Sequence, residues 1–124
     1  MDLIGNLFSK IKQAGLQRKK SIFVERSDLL SEILTILYRE GFTSGFRVVN
    51  NQFEVFLKYS NMRPILYKFK RYSTSSKKSY CTVAKLSKVF RKSDFVLLST
   101  TLGILTKEYA LNLNLGGEVL VKLN

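Results

Sequence analysis

Histidine and tryptophan are absent from this chain of 124 residues, which has one cysteine, one proline and only nine acidic residues. Without histidine, imidazole acid–base catalysis is excluded, and a single cysteine gives no support to a Cys/His metal site. Cys81 cannot form an internal disulfide; its strand-like surroundings predict a small buried residue, with a nucleophilic thiol as the alternative. The scattered carboxylates indicate no catalytic pair. We therefore expect a binding protein without a cofactor, metal or small-molecule substrate.

Long apolar runs are also missing: none approaches the ~20 residues of a membrane span, and the amino terminus has no signal-peptide pattern. Positive charge is plentiful, with 21 Lys and Arg against 9 Asp and Glu and a formal net charge of +12. A field of this strength attracts a polyanion, either a nucleic acid or an anionic membrane surface. The hydrophobic content of 45% suffices for a core in one compact unit or two small lobes.

Hydrophobic periodicity predicts an α+β protein of two small packed lobes, residues 1–62 and 63–124, with their boundary at residues 60–64 around the only proline. The amino-terminal lobe reads as helix, strand, helix and hairpin: helix 2–14, strand 21–24, a helix from an N-cap at Ser27 to a C′ glycine at Gly41, and strands 46–49 and 53–59 joined at Asn50-Asn51. The carboxy-terminal lobe reads as mostly β with short helices: strands 65–72 and 79–83, a helical turn 85–90, a buried strand from Phe95, a helix over 107–112 capped by Thr106, and a last strand after Gly116-Gly117.

The basic residues are concentrated in the carboxy-terminal half. No acidic residue lies between Glu54 and Asp94, and residues 63–124 carry twelve basic and three acidic side chains, against nine and six in residues 1–62. Aromatic residues interleave with these lysines, at Tyr67, Phe69, Tyr72 and Tyr80. Such rings either lie against ribose or a base, or serve as core and strand-pair residues.

Three consecutive hydroxyl residues, Ser99, Thr100 and Thr101, interrupt the apolar run that begins at Phe95. Short hydroxyl side chains both donate and accept hydrogen bonds. A loop of this kind on the lip of a rigid strand is suited to phosphates, ribose hydroxyls and base edges. An ordinary Ser/Thr turn is the alternative.

Residues 98–106 and 115–120 read L-S-T-T-x-G-I-L-T … L-G-G-E-V-L, which closely resembles the carboxy-terminal signature of the small-subunit ribosomal protein S8 family of RNA-binding proteins. The likeness extends over almost the whole chain. Residues 10–13 read K-I-K-Q where the family has R-I-R-N, E-G-F ends the second helix, and residues 53–59 resemble the family's L-x-L-K-Y strand. Residues 70–73 with Tyr80 match R-x-S-x-P-G-x-x-x-Y. Thr101 replaces a serine, Ser75-Ser76 replace the Pro-Gly turn, and Lys92-Ser93-Asp94 replace a glycine-rich segment.

The resemblance implies an RNA-facing surface formed by Tyr80, Ser99, Thr100, Thr101, Gly116, Gly117 and Glu118. We add as candidate RNA-binding residues Gly103, Lys77, Lys78, Arg71, Lys10 and Lys12. The implied function is that of a structural constituent of the small ribosomal subunit, which binds the central domain of small-subunit rRNA and supports assembly and translation beside neighbouring ribosomal proteins.

The alternative is a basic nucleic-acid-binding module outside the ribosome. A DNA-binding or membrane-surface module would need a helix that is basic along its length, and neither predicted long helix is. Heavy use of Lys, Tyr, Phe, Asn and Leu, with no targeting presequence, favours a mitochondrial ribosome; a plastid or bacterial ribosome is the alternative location.

Overall fold

The computed structural model describes residues 2–74 and 76–123, and the chain divides into two compact units between Lys68 and Phe69. In the amino-terminal unit, a three-stranded antiparallel sheet in the order β1-β3-β2 is accompanied by two helices and a short hairpin. Its elements are α1 (Leu3–Leu16), β1 (Ser21–Glu25), α2 (Asp28–Arg39), β2 (Thr43–Val49), β3 (Gln52–Leu57), β4 (Tyr59–Ser60) and β5 (Arg63–Pro64). The predicted order of helix, strand, helix and hairpin is confirmed.

Local signals set the ends of α2 and of the β2–β3 hairpin as predicted. The Ser27 hydroxyl accepts a hydrogen bond from the Leu30 amide at 3.1 Å, which satisfies a free N–H of the first turn. At the other end Gly41 has a φ of +82°, and the Phe42 amide donates to the Leu37 carbonyl at 2.9 Å, as in a Schellman motif. Asn50 and Asn51 both adopt positive φ in the hairpin turn.

The predicted lobe boundary at residues 60–64 is a tight hairpin inside the amino-terminal unit. Asn61 and Met62, both with positive φ, form its turn, and β4 pairs with β5 on either side. The Ile65 amide then donates to the Lys58 carbonyl at 2.9 Å. These bonds hold the chain to the amino-terminal unit as far as Ile65, and that unit extends to Lys68, beyond the predicted division between residues 62 and 63.

The carboxy-terminal unit is mostly β with short helices, as predicted. Its sheet has the order β6-β10-β8-β9, and β7 also pairs with β10. The elements are β6 (Phe69–Arg71), β7 (Tyr80–Cys81), α3 (Val83–Val89), β8 (Phe95–Thr100), β9 (Gly103–Thr106), α4 (Lys107–Asn112) and β10 (Gly117–Leu123). The core joins the sheet to both helices through the buried residues Cys81, Leu86, Phe90, Val96, Leu98, Ala110 and Val119. A β-bulge in β10 shifts the register with β8 between Val119 and Val121.

Three sequence predictions about this unit are wrong. The strand predicted over 65–72 is confined to Phe69–Arg71, because alternation alone supplies no partner. These three residues pair with β10, and the Tyr72 amide donates one more hydrogen bond to the Leu120 carbonyl at 3.1 Å. The strand predicted over 79–83 ends at Cys81, because α3 begins at Val83. The predicted hydroxyl loop begins later than expected: Ser99 and Thr100 belong to β8, where they pair with Ile104 and Gly103.

Cys81 is buried as predicted, with 9% of its surface exposed. In the described ranges 2–74 and 76–123, no helix is long and apolar enough to cross a membrane.

Candidate nucleic-acid interface

One end of the carboxy-terminal sheet brings several predicted residues into a row. Glu118 on β10 lies opposite Tyr80 of β7 and opposite Ser99 of β8. Directly opposed residues of antiparallel strands point to the same face of a sheet. Tyr80, Glu118 and Ser99 therefore lie side by side, and we call them the Tyr80 row. Tyr80 is 74% exposed, so an aromatic face is available to a ligand at the edge of this row.

The turn between β8 and β9 is formed by Thr101 and Leu102 and is held by the preceding hydroxyl. Thr100 Oγ1 donates to the Gly103 carbonyl at 2.9 Å and accepts from the Leu102 amide at 3.1 Å. The single hydroxyl proton of Thr100 is thus used within the turn. Thr101 is exposed at the tip, so of these two threonines it is the one whose hydroxyl can meet a ligand.

Gly116 and Gly117 allow β10 to enter closely between β7 and β8. A Cβ at Gly116 would lie 2.6 Å from the Cys81 carbonyl oxygen. A Cβ at Gly117 would overlap the Ser99 carbonyl oxygen. Both glycines are therefore needed to build the Tyr80 row, whatever else they do.

A groove of about 350 Å³ opens beside Tyr80. It is lined by Tyr80, Cys81, Thr82, Val83, Lys85, Gly116 and Gly117. An exposed aromatic ring, an ammonium group and partly exposed glycine backbone are features that can receive an unstacked base and its phosphate. Sequence reasoning missed Lys85 as a site residue, because the strand predicted over 79–83 gave no reason to place Lys85 beside Tyr80. In the structure, α3 begins at Val83 and places Lys85 in the lining of the groove.

The loop of residues 73–79, which we call the lysine loop, is closed at its base by a buried serine. Ser73 Oγ donates to the Val119 carbonyl at 2.6 Å and accepts from the Ser79 amide at 2.8 Å. Lys77 is exposed on the loop, and Lys78 Nζ lies 3.7 Å from Glu118 Oε2. Sequence reasoning missed Ser73, whose pattern is that of any turn serine. The Ser75-Ser76 turn falls partly outside the described residues.

The other three predicted basic positions lie outside the lysine loop. Arg71 Nη2 donates to the Ser73 carbonyl at 2.6 Å, so this guanidinium braces the base of the loop. In the amino-terminal unit, Lys10 Nζ donates to the Phe23 carbonyl at 3.1 Å and Lys12 is exposed on α1. The structure thus brings together the candidates of the carboxy-terminal unit, while Lys10 and Lys12 belong to the other unit.

The chemistry available at this surface is binding. Burial raises the pKa of the Cys81 thiol above its ordinary value, with Lys85 as a smaller opposing influence; a protonated thiol is a poor nucleophile. Within residues 2–74 and 76–123, no group of three or more His, Cys, Asp or Glu side chains is placed to hold a metal ion.

Comparison with known proteins matches nearly the whole chain to a single protein family. Residues 2–123 match the family model described as Ribosomal protein S8. The chain is 34% identical to small ribosomal subunit protein uS8m of Acanthamoeba castellanii, with 100% of both chains aligned. It is 32% identical to uS8 of Vesicomyosocius okutanii, over 98% of this chain and 96% of that protein, and 35% identical to uS8 of Chlamydia trachomatis, over 96% and 93%.

Proposed function

Since this chain belongs to the ribosomal protein S8 family, we propose that the Tyr80 row, the β8–β9 turn and the lysine loop form its RNA-binding surface. The protein is a structural, non-enzymatic constituent of the small ribosomal subunit and binds the RNA of that subunit. The observation that carries the assignment of the surface is the register of β10, which sets Tyr80, Glu118 and Ser99 beside one another.

Binding begins with electrostatic attraction. The carboxy-terminal unit has ten basic residues and three acidic ones, and Lys77, Lys78 and Lys85 are exposed around the row. Each lysine that neutralises a phosphate releases a counterion, which favours association at low salt. This step attracts any RNA, so it supplies affinity and little discrimination.

Discrimination comes from the neutral groups of the same surface. Tyr80 offers a face on which an unpaired base can stack, and the hydroxyls of Ser99 and Thr101 can match donors and acceptors of an irregular groove. The remaining predicted positions shape this surface: the hydrogen bond between Thr100 and Gly103 holds the Thr101-Leu102 turn, Gly116 and Gly117 allow the strands to approach, and Arg71 braces the lysine loop. Glu118 keeps Lys78 near the row.

The finer assignments rest on the relatives and on composition. We propose the central domain of small-subunit rRNA as the binding site, neighbouring small-subunit ribosomal proteins as partners, a role in subunit assembly and translation, and the mitochondrial ribosome as the location. The similarity to a mitochondrial uS8m and the composition rich in Lys, Tyr, Phe, Asn and Leu support that location. Lys10 and Lys12 are proposed as a second contact made by the amino-terminal unit.

The test is a salt titration of RNA affinity with matched variants. A central-domain rRNA fragment and a generic RNA duplex are each titrated with wild type, Lys77→Ala/Lys78→Ala, Thr101→Ala and the control Lys88→Ala, whose side chain is exposed on α3. We expect the double variant to reduce the salt slope by about one for each phosphate that is no longer neutralised, on both RNAs.

Thr101→Ala should leave the slope unchanged and weaken only the cognate complex, by about 1–3 kcal/mol if the RNA partner is buried. The proposed surface is wrong if Lys88→Ala reduces affinity and slope as much as the loop variant does, because the charge would then act without regard to position. If Thr101→Ala lost equal affinity for both RNAs, the Thr101 hydroxyl would have only a structural role in the turn.

A further inference from the structure

A second groove of the carboxy-terminal unit lies between α3 and α4, and none of the predicted RNA-binding residues borders it. It encloses about 420 Å³ and is lined by Ser87, Phe90, Lys92, Lys107, Glu108, Leu111 and Asn112. We call it the α3–α4 groove. Thr106, which precedes α4, pairs with Leu97 near the start of β8, whereas the Thr101-Leu102 turn follows the other end of that strand. A strand of this length spans roughly 17–20 Å, so about that distance along β8 separates the α3–α4 groove from the Thr101-Leu102 turn.

A buried lysine is one of the residues that line this groove. Lys107 is 3% exposed, and its Nζ donates to the backbone carbonyl of Arg91. Glu108 Oε1 is 3.9 Å away, which is within ion-pair range but longer than a hydrogen bond. An ammonium group has three donors, and in the described part of the chain the carbonyl of Arg91 uses one of them. Lys107 therefore keeps the capacity to donate to an acceptor that enters the groove.

The charge around the groove favours an anionic ligand. Lys92, Lys107 and Glu108 line the groove, and Arg91 and Asp94 lie in the segment between α3 and β8. Asp94 is already engaged, since it accepts from the Arg91 amide at 2.9 Å and lies 3.7 Å from Lys122 Nζ. Lys92 is exposed at the rim, where it adds to the positive field.

The floor of the groove is apolar and does not suit a base. Phe90 is only 5% exposed, and its ring packs edge to face against Tyr72 with 5.4 Å between centroids. Its face is consequently not open for stacking, which is what single-stranded RNA requires of an aromatic residue. With the half-buried Leu111, it instead provides a surface against which an aliphatic side chain can be buried.

We propose that the α3–α4 groove docks a segment of a neighbouring protein in which an aliphatic side chain lies next to a carboxylate, either that of Asp or Glu or a terminal carboxylate. The aliphatic group contacts Phe90 and Leu111, and the carboxylate accepts from Lys107 and faces Lys92. The inference goes beyond RNA binding and rests on the proposed function only in that the neighbour is a ribosomal protein.

A minimal probe of this chemistry is N-acetyl-L-leucine, which joins an isobutyl group to a free carboxylate. Titrated into the full-length 15N-labelled protein, it should shift the amide signals of Ser87, Lys92, Glu108 and Asn112. N-acetyl-L-leucinamide, which lacks the charge, should bind at least about tenfold more weakly, since hydrogen bonds to charged groups are the stronger ones. N-acetylglycine, which lacks the aliphatic group, should also bind more weakly.

The matched variants are Lys92→Gln, at the rim, and Lys88→Gln, which removes the same charge outside the groove lining. We expect Lys92→Gln to weaken binding of the probe about two- to fivefold and Lys88→Gln to leave it unchanged. Absence of the shifts, or equal binding of the amide, overturns the proposal. Displacement of the probe by the central-domain rRNA fragment overturns it as well, because the groove would then belong to RNA.

In assembled small subunits, a photoreactive residue at position 112 (Asn112→p-benzoylphenylalanine) identifies the natural occupant. The expected crosslink is to a ribosomal protein, in a peptide that carries a carboxylate beside an aliphatic residue. Crosslinks to rRNA alone, to a peptide without that pair, or no protein crosslink at all would reject the groove as a docking site. RNA affinity, measured on the same variant, separates this outcome from a failure of the proposed RNA-binding surface.

Discussion

Replacement of Ser73 by alanine tests how the lysine loop is held. The side chain is 3% exposed and links two backbone segments, since its Oγ donates to the Val119 carbonyl and accepts from the Ser79 amide. Alanine leaves both groups without this partner, and each unsatisfied buried group costs about 1–3 kcal/mol. The Ser79 bond is only partly buried, so water compensates part of the loss. We expect Ser73→Ala to lower the free energy of unfolding by about 2 kcal/mol.

Urea unfolding of the full-length protein measures this loss as a shift of the midpoint at unchanged slope. The control is Thr74→Ala in the same loop, where the exposed hydroxyl accepts from the Lys77 amide at 3.1 Å; its effect should stay within about 0.5 kcal/mol. Hydrogen exchange at the Ser79 amide should accelerate in Ser73→Ala and not in Thr74→Ala. Equal stability of the two variants, with unchanged exchange at Ser79, would refute the role given to the Ser73 hydroxyl.

Three other substitutions test particular contacts. Gly117→Ala places a Cβ against the Ser99 carbonyl oxygen and should cost about 1–3 kcal/mol of stability; an unchanged urea midpoint would contradict the close approach of β10 and β8. The hydrogen bond from the Arg91 amide, and to a smaller extent the charges of Lys122 and other cations, lower the pKa of Asp94 below its ordinary value of 3.8. The stability that ionised Asp94 gives to the folded protein is therefore complete above pH 3.8 and is lost as the pH falls through the lowered pKa. The stability difference between wild type and Asp94→Asn, measured by urea unfolding, should therefore be present at neutral pH and vanish in strong acid; a difference that persists there would exclude this titration. Ser27→Ala removes the N-cap of α2 and should destabilise by about 1 kcal/mol, whereas Ser27→Asp, which keeps an acceptor, should not.

Sequence reasoning succeeded where the signals are local. The N-cap at Ser27, the C′ glycine at Gly41 and the Asn50-Asn51 turn each depend on a few neighbouring residues, so their patterns could be read directly. It failed where a strand depends on a distant partner. Residues 65–68 alternate like a strand but have no pairing position on β10, and Ser99 and Thr100 look like a loop but are paired by β9.

The residues of the candidate site also divide into those that a sequence pattern indicates and those whose role depends on contacts with distant residues. Resemblance to a family indicated Tyr80, Ser99 and Glu118, but only the register of three strands shows that they are adjacent. Lys85 could not be found, because its position depends on where α3 begins. Ser73 and Arg71 acquire their roles from Val119 and from the loop backbone, and no spacing in the sequence reveals such contacts.

The bulge in β10 between Val119 and Val121 gives the two halves of this strand separate pairing frames. The half before the bulge pairs with β7 and carries Glu118, and the half after it pairs with β6 and ends in the buried Leu123. A one-residue slip in an uninterrupted strand would turn every side chain to the opposite face. Here the extra residue at the bulge takes up the offset between the two frames, so Glu118 stays in the Tyr80 row while Leu123 stays in the hydrophobic core.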